Sequence, residues 1–200
     1  MTSTAESAPA RRTGARREQI LRTAAELFAR KGFNGVSIND IGAAVGISGP
    51  ALYRHFPSKD AVLGEMLVDV SQRLLEQGHQ VVASTSEPRE RMERLISMQV
   101  EFALAEPALI TVHNRDIASL GDADQREVRR LQRRYVDIWT SAISDAVPGT
   151  DESRARAAAH AAFGLINSTP HSARVGRDEM AVLLRRMASA ALLSPGAFDT

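Results

Sequence analysis

The 200-residue sequence contains no cysteine. Disulfide staples, thiolate metal centres and a catalytic thiol are thereby excluded. Long hydrophobic runs are missing as well. No stretch approaches the ~18 uninterrupted apolar residues that a membrane-spanning helix needs. The opening residues, MTSTAESAPA, are small and polar and lack the apolar segment of a secretory signal. These absences point to the cytoplasm. Aromatic residues make up only 4% of the chain, and no segment keeps the apolar/polar alternation of a half-buried strand. His55, His79, His113, His160 and His171 lack ligand spacing with carboxylates, so no metal is expected. A nucleophile elbow, a phosphate loop and paired carboxylates are all missing, so neither an enzyme nor a bound cofactor is expected.

What is present is helix, and an uneven distribution of charge. The net charge of +1 hides a basic start. Residues 1–63 carry nine Lys and Arg against five Asp and Glu, a net +4, and the remainder carries −3. A basic head on a mildly acidic body suits a nucleic-acid-binding unit attached to a regulatory one. Residues 1–10 read as a disordered tail. Arg11, Arg12, Arg16 and Arg17 follow, either as a solvated helix start or as an arm that reaches DNA.

The hydrophobic pattern predicts about nine helices. The first runs from about Arg16 to Lys31, with Ile20, Ala24, Leu27 and Phe28 on one face. Ser37 begins the second, with Asp40 three residues on as a capping partner. Gly46 breaks the chain, and Ser48 caps a short third helix with Pro50 in its first turn. Pro57 stops that helix. Ser58 caps a fourth helix running to about Gly78, striped by Val62, Leu63, Met66, Leu67, Val70 and Leu74. Further helices are expected over Glu87–Ala105, Ala108–Leu120, Asp122–Val147, Ala155–Ser168 and Asp178–Leu193.

Ser37 to Phe56 thus reads as helix, tight turn, helix. In that arrangement the second helix enters the major groove while the first crosses the backbone. Its exposed side offers Ser48, Gly49 and Pro50 at the start, then Tyr53, Arg54 and His55. Gly49 allows close approach, Ser48 can bond a phosphate or a base edge, Tyr53 and His55 can reach phosphates, and Arg54 can read guanine or pair a phosphate. Lys59 sits in the first turn of the fourth helix, where the helix dipole disfavours a cation. A phosphate alongside would account for it. The run GFNGVSINDIGAAVGISGPALYRHFPSKDAVLGEML resembles the signature of the TetR family of transcriptional regulators. The match covers about 45 residues from Gln19 to Leu63. Gly42 departs from it mildly, since alanine is usual there.

The resemblance implies an all-α protein: a three-helix DNA-binding head, residues 11–60, on a helical effector-binding and dimerisation body, residues 61–200. It implies a homodimer on a palindromic operator, with Ser37, Ser48, Gly49, Tyr53, His55 and Lys59 lining the double-stranded DNA. It also implies a dimer face on the last two helices. Ala157, Ala158, Ala159, Ala161, Ala162 and Gly164 permit close helix approach there, beside an apolar stripe of Met180, Leu183, Leu184, Met187 and Ala191. An intrachain core is the alternative.

A small-molecule effector pocket is expected between the fourth and eighth helices. Its candidates are Met66, Met98, Phe102, His113, Arg115, Tyr135, Trp139, Phe163 and Asn167. The apolar members serve equally well as plain core, and Arg115 serves equally well in a pair with an aspartate of its own chain. Arg126, Arg129, Arg130, Arg133 and Arg134 share one helix side. They form either a solvated face paired with acidic neighbours or a seat for the phosphates of an acyl-CoA. The function expected is a repressor released from its operator by an apolar or acyl-CoA effector. The alternative is a ligand-binding or carrier protein whose head is degenerate, and the intact Leu52–Phe56 stretch argues against it.

Overall fold

The computed structural model describes residues 8–172 and 175–194, and those residues form helices and turns with no strand. The elements are α1 (Ala8–Lys31), α2 (Ile38–Ala44), α3 (Gly49–Tyr53), α4 (Lys59–Ser84) and α5 (Pro88–Ala105), then α6 (Pro107–Asp116) with a 3₁₀ turn at Ile117–Ser119. They continue as α7 (Asp122–Ala146), α8 (Glu152–Ile166), the single turn α9 (Thr169–Ser172) and α10 (Arg177–Leu193). Residues 1–7 of the expected tail lie outside the described residues, and Ala8–Ala10 open α1.

The helix starts follow from local chemistry. At α2, the Ser37 hydroxyl accepts from the Asp40 N–H at 3.1 Å, and the Asp40 carboxylate accepts from the Ser37 N–H at 2.8 Å. Two N–H groups that a helix start leaves without partners are thus satisfied reciprocally. Ser48 caps α3, Ser58 caps α4 and Asp151 caps α8 by the same kind of bond. Gly46 takes φ +72° in the turn between α2 and α3, a conformation costly for any residue with a Cβ. Gly42 has a packing reason of its own. A Cβ there would meet the Ile47 carbonyl oxygen at 2.9 Å, so the departure from alanine tightens the α2–α3 corner.

Two apolar clusters hold the molecule together. The first contains Ile20, Phe28, Phe33, Ile41, Leu52 and Phe56 from the head and runs on without a gap through Leu63, Met66 and Leu67 to Leu109, Val112 and Val128. Phe28 meets Phe33 edge to face at 5.4 Å. The second lies in the body and contains Leu75, Leu95, Ile96, Tyr135, Trp139, Ile143, Ile166 and Leu184. Each large side chain in them contributes on the order of 1.5–3 kcal/mol through burial.

α4 joins the two clusters and packs most heavily on α7. It continues past Gly78 to Ser84, because Gly78 marks a close approach and not a stop. A Cβ there would stand 3.1 Å from the Tyr135 ring. The apolar stripe expected on α10 divides in two. Met180 and Leu184 are buried within the chain, while Leu183 and Met187 are 46% and 44% exposed. On α8, Ala159 and Ala162 face inward, and Ala157, Ala161 and Gly164 face solvent.

Candidate DNA interface and effector cavity

The head presents α3 outward through one buried anchor. Leu52 is fully buried, whereas Tyr53 is 52% exposed and Pro50 and Arg54 are also exposed. Among the described residues, the Tyr53 and Arg54 side chains form no hydrogen bond or ion pair. A phenol and a guanidinium therefore stand ready on one short surface, with the Ser48 hydroxyl at its start. Gly49 lies under the Asn39 side chain, so α2 and α3 are pressed together at the point where both would face DNA. Ser37 is exposed, with its hydroxyl engaged by Asp40 at 2.6 Å.

Three other cations of the head are already committed. The Lys59 ammonium donates to the Phe33 carbonyl at 2.8 Å and stands 4.2 Å from the centre of that ring. That contact accounts for a cation at this helix start without a phosphate. Arg17 grips Glu65 of α4 and the His55 carbonyl, and lies 4.1 Å over the Phe56 ring. Arg16 donates to the Val45 carbonyl at 2.8 Å. These arginines brace α1 against the rest of the head. The side chains of Arg11 and Arg12 lie outside the described residues.

In the body, a cavity of about 400 Å³ opens among α4, α5, α6, α7 and α8. Of the expected ligand residues, Phe102, His113, Tyr135, Phe163 and Asn167 line it. Four others do not. Trp139 is fully buried behind Phe163, with ring centres 4.6 Å apart. Met66 lies in a separate groove between α1 and α4, and Met98 in a surface recess beside Arg177. Arg115 turns away from the cavity altogether. Its guanidinium donates to the Phe28 and Ala29 carbonyls at the end of α1, and to buried Asp116 at 2.9 and 3.1 Å. It thus satisfies the Ala29 carbonyl and adds to the Gly32 N–H on the Phe28 carbonyl at the end of α1, where a cation is favoured.

Gln99, Gln132 and His160 also line the cavity, and sequence reasoning missed them. Gln99 could have been found as the one amide in the otherwise apolar stripe of α5. Gln132 was masked by the arginines around it. The Tyr135 hydroxyl donates to Gln99 at 2.9 Å, and the Gln99 amide donates to Asn167 at 3.0 Å. Burial pushes the Tyr135 phenol well above its ordinary value, so it stays protonated and acts as the donor. His113 bonds to Gln132 across α6 and α7, and to Asn114 at 3.2 Å.

On the outer face of α7, Arg130 pairs with Glu127 at 2.6 Å. Among the described residues, the Arg126, Arg129 and Arg133 side chains make no ion pair or hydrogen bond. Arg129 and Arg133 flank Gln132 on the same helix. Among the described residues, no group of three or more histidine and carboxylate side chains is placed to hold a metal. No single helix there is long and apolar enough to cross a membrane.

Comparison with known proteins agrees with this architecture. Residues 20–66 match the profile of "Bacterial regulatory proteins, tetR family", and residues 85–172 match "Tetracyclin repressor-like, C-terminal domain". The chain belongs to the TetR family. Within that family it is 28% identical to the HTH-type transcriptional repressor KstR2 of Mycolicibacterium smegmatis, over 65% of this chain and 66% of that protein. The alignment thus spans just under two thirds of that relative's length. A TetR-family regulator from Bordetella parapertussis superposes with a TM-score of 0.80 at 27% identity, over 88% of this chain and 93% of the other. AibR, solved with isovaleryl coenzyme A and operator DNA, shares the TetR fold with a TM-score of 0.71 at 21% identity, over 86% and 97% of the two chains.

Proposed function

We propose that this protein is a homodimeric repressor that binds a palindromic operator through α3 and leaves it when an acyl-CoA occupies the body cavity. The observation that carries the reading is a contrast among the polar side chains of the head. Lys59, Arg16 and Arg17 are tied to carbonyls and a carboxylate, while among the described residues the Tyr53 and Arg54 side chains have no partner. KstR2 is itself named a transcriptional repressor, and AibR was solved with both a CoA thioester and DNA. The acyl group enters the cavity, and Arg129 and Arg133 hold the nucleotide phosphates at its edge.

A second copy covers the exposed Val182, Leu183 and Met187 of α10 and the small residues of α8, building a four-helix bundle across the two protomers. That dimer sets the separation of the α3 helices, which must be about 34–36 Å to enter successive major grooves. The working division falls near residue 60, between a DNA-binding head and an effector-binding body. The protein acts in the cytoplasm, as a regulator and not as an enzyme.

The effector signal passes along α6. His113 and Asn114 line the cavity, and the next residue, Arg115, holds the end of α1. A ligand that displaces the His113–Gln132 contact turns α6 and shifts α1 with it. A coupling of about 1–3 kcal/mol is expected.

Two measurements test the reading. Gel shifts on the DNA upstream of the protein's own gene should show a salt-sensitive complex. Absence of any complex at low salt removes the repressor function and favours a carrier. Calorimetric titration with an acyl-CoA series should give saturable heat, and silence at every chain length removes that effector.

A further inference from the structure

The cavity wall carries no Asp, Glu, Lys or Arg. Yet the wall is not simply greasy. Three of its side chains form a relay with a direction: the Tyr135 O–H points to Gln99, and the Gln99 N–H points to Asn167 Oδ1. Gln99 is only 2% exposed. Tyr135 has committed its one proton, and Asn167 has committed its oxygen. The end of the relay at Asn167 therefore presents an amide NH₂, which is a donor.

The α6–α7 side behaves in a matching way. The His113 ring has Asn114 Oδ1 at one nitrogen and the Gln132 amide nitrogen at the other. Both polar stations are thus fixed in orientation by their own bonds.

A saturated acyl chain would place hydrocarbon against the Asn167 amide, displacing water from its donors without replacing the bond, which costs free energy. A ligand carrying an oxygen acceptor at that point meets them. We infer that the cavity selects an oxygenated acyl group, bearing a ketone or hydroxyl oxygen on its chain or ring, over a saturated hydrocarbon of the same length. Gln99 and Asn167 set that preference. The inference rests on the acyl-CoA reading above for the carrier, but not for the acyl group itself.

The test is calorimetric titration of the full-length protein with octanoyl-CoA and its 3-oxo, 5-oxo and 7-oxo counterparts, and with the same acyl groups on pantetheine. At least one oxo form should bind about ten-fold tighter than the saturated form, since a site built around a hydrogen bond rejects analogues lacking it. Gln99→Leu and Asn167→Ala should bring that ratio below about three-fold. Thermal melting establishes that each variant is folded, and Tyr135→Phe, which removes one oxygen only, replaces Gln99→Leu if that variant is not. Equal binding of saturated and oxo forms overturns the inference and leaves an acyl-CoA effector standing. An oxo preference seen on pantetheine, with no binding of any CoA thioester, upholds the inference and removes the CoA carrier. Silence from all eight compounds overturns both.

Discussion

Head and body treat their polar side chains in opposite ways. The head turns its working groups outward and leaves Tyr53 and Arg54 unpaired on a five-residue helix. The body turns its working groups inward and pairs them with one another, Tyr135 to Gln99 to Asn167. The difference follows from solvent. Water satisfies an idle polar group on a surface, whereas an idle group in a cavity costs free energy until something meets it. A surface of the first kind can wait for one large partner of fixed shape. A cavity of the second kind filters small partners by where their oxygens lie.

The comparison breaks most strongly if the two regions do not share a core. Phe28→Ala removes a fully buried ring of the head cluster and should destabilise by about 3–5 kcal/mol. Trp139 is the only tryptophan and sits in the other cluster, so its fluorescence reports the body. Because the head cluster runs into α4, α6 and α7, the denaturation midpoint read from Trp139 should fall with the head. A midpoint that stays put would show that the head unfolds alone.

Tyr53→Ala should weaken operator binding by about 1–3 kcal/mol and leave the melting temperature nearly unchanged, since the ring is more than half exposed. Filter binding beside a melting curve checks both halves. Arg115→Ala should act on the link and not on either site. Operator affinity and effector affinity should each change little, while the effector-driven loss of DNA binding shrinks by about 1 kcal/mol. Full release by effector in this variant would place the link elsewhere, in α4.

The smallest effect concerns acidity. The Ser37 hydroxyl, followed by the Ser37 backbone N–H, holds the Asp40 carboxylate below its ordinary value of 3.8. A carboxylate lowered by folding adds stability above its unfolded value and loses it as the pH falls through the folded one. The melting temperature of Asp40→Asn should therefore lie slightly below that of the parent at neutral pH. The two curves should meet in acid, where the parent carboxylate is protonated as well.

Much of the head was legible in the sequence, because its signals are local. Ser37 with Asp40, Ser48 with Pro50, and Ser58 each mark a helix start within four residues, and each caps the helix where expected. The candidate sites were legible only in part. Met66 and Trp139 are large and apolar, and such residues look the same in a sequence whether they line a cavity or fill a core. Arg115 finds its partners in α1, more than eighty residues away. Its sequence neighbour Asp116 hinted at the pairing, but nothing nearby could show that the guanidinium also closes the end of a helix in the head. Lys59 looked out of place for the same reason, since the Phe33 carbonyl that receives it lies in another segment.

The shortness of α3 has a consequence for how such a protein diversifies. Five residues are too few to hold a helix unaided, so its shape is borrowed from Leu52, the Ser48 cap and the turn closed by Phe56. The positions that would face bases lie outside that scaffold. Gly49 apart, pressed as it is by Asn39, Pro50, Tyr53 and Arg54 can be exchanged without disturbing the framework beneath them. On the function proposed above, new operator sequences are thus within reach of single substitutions, while the body goes on answering to the same chemical signal.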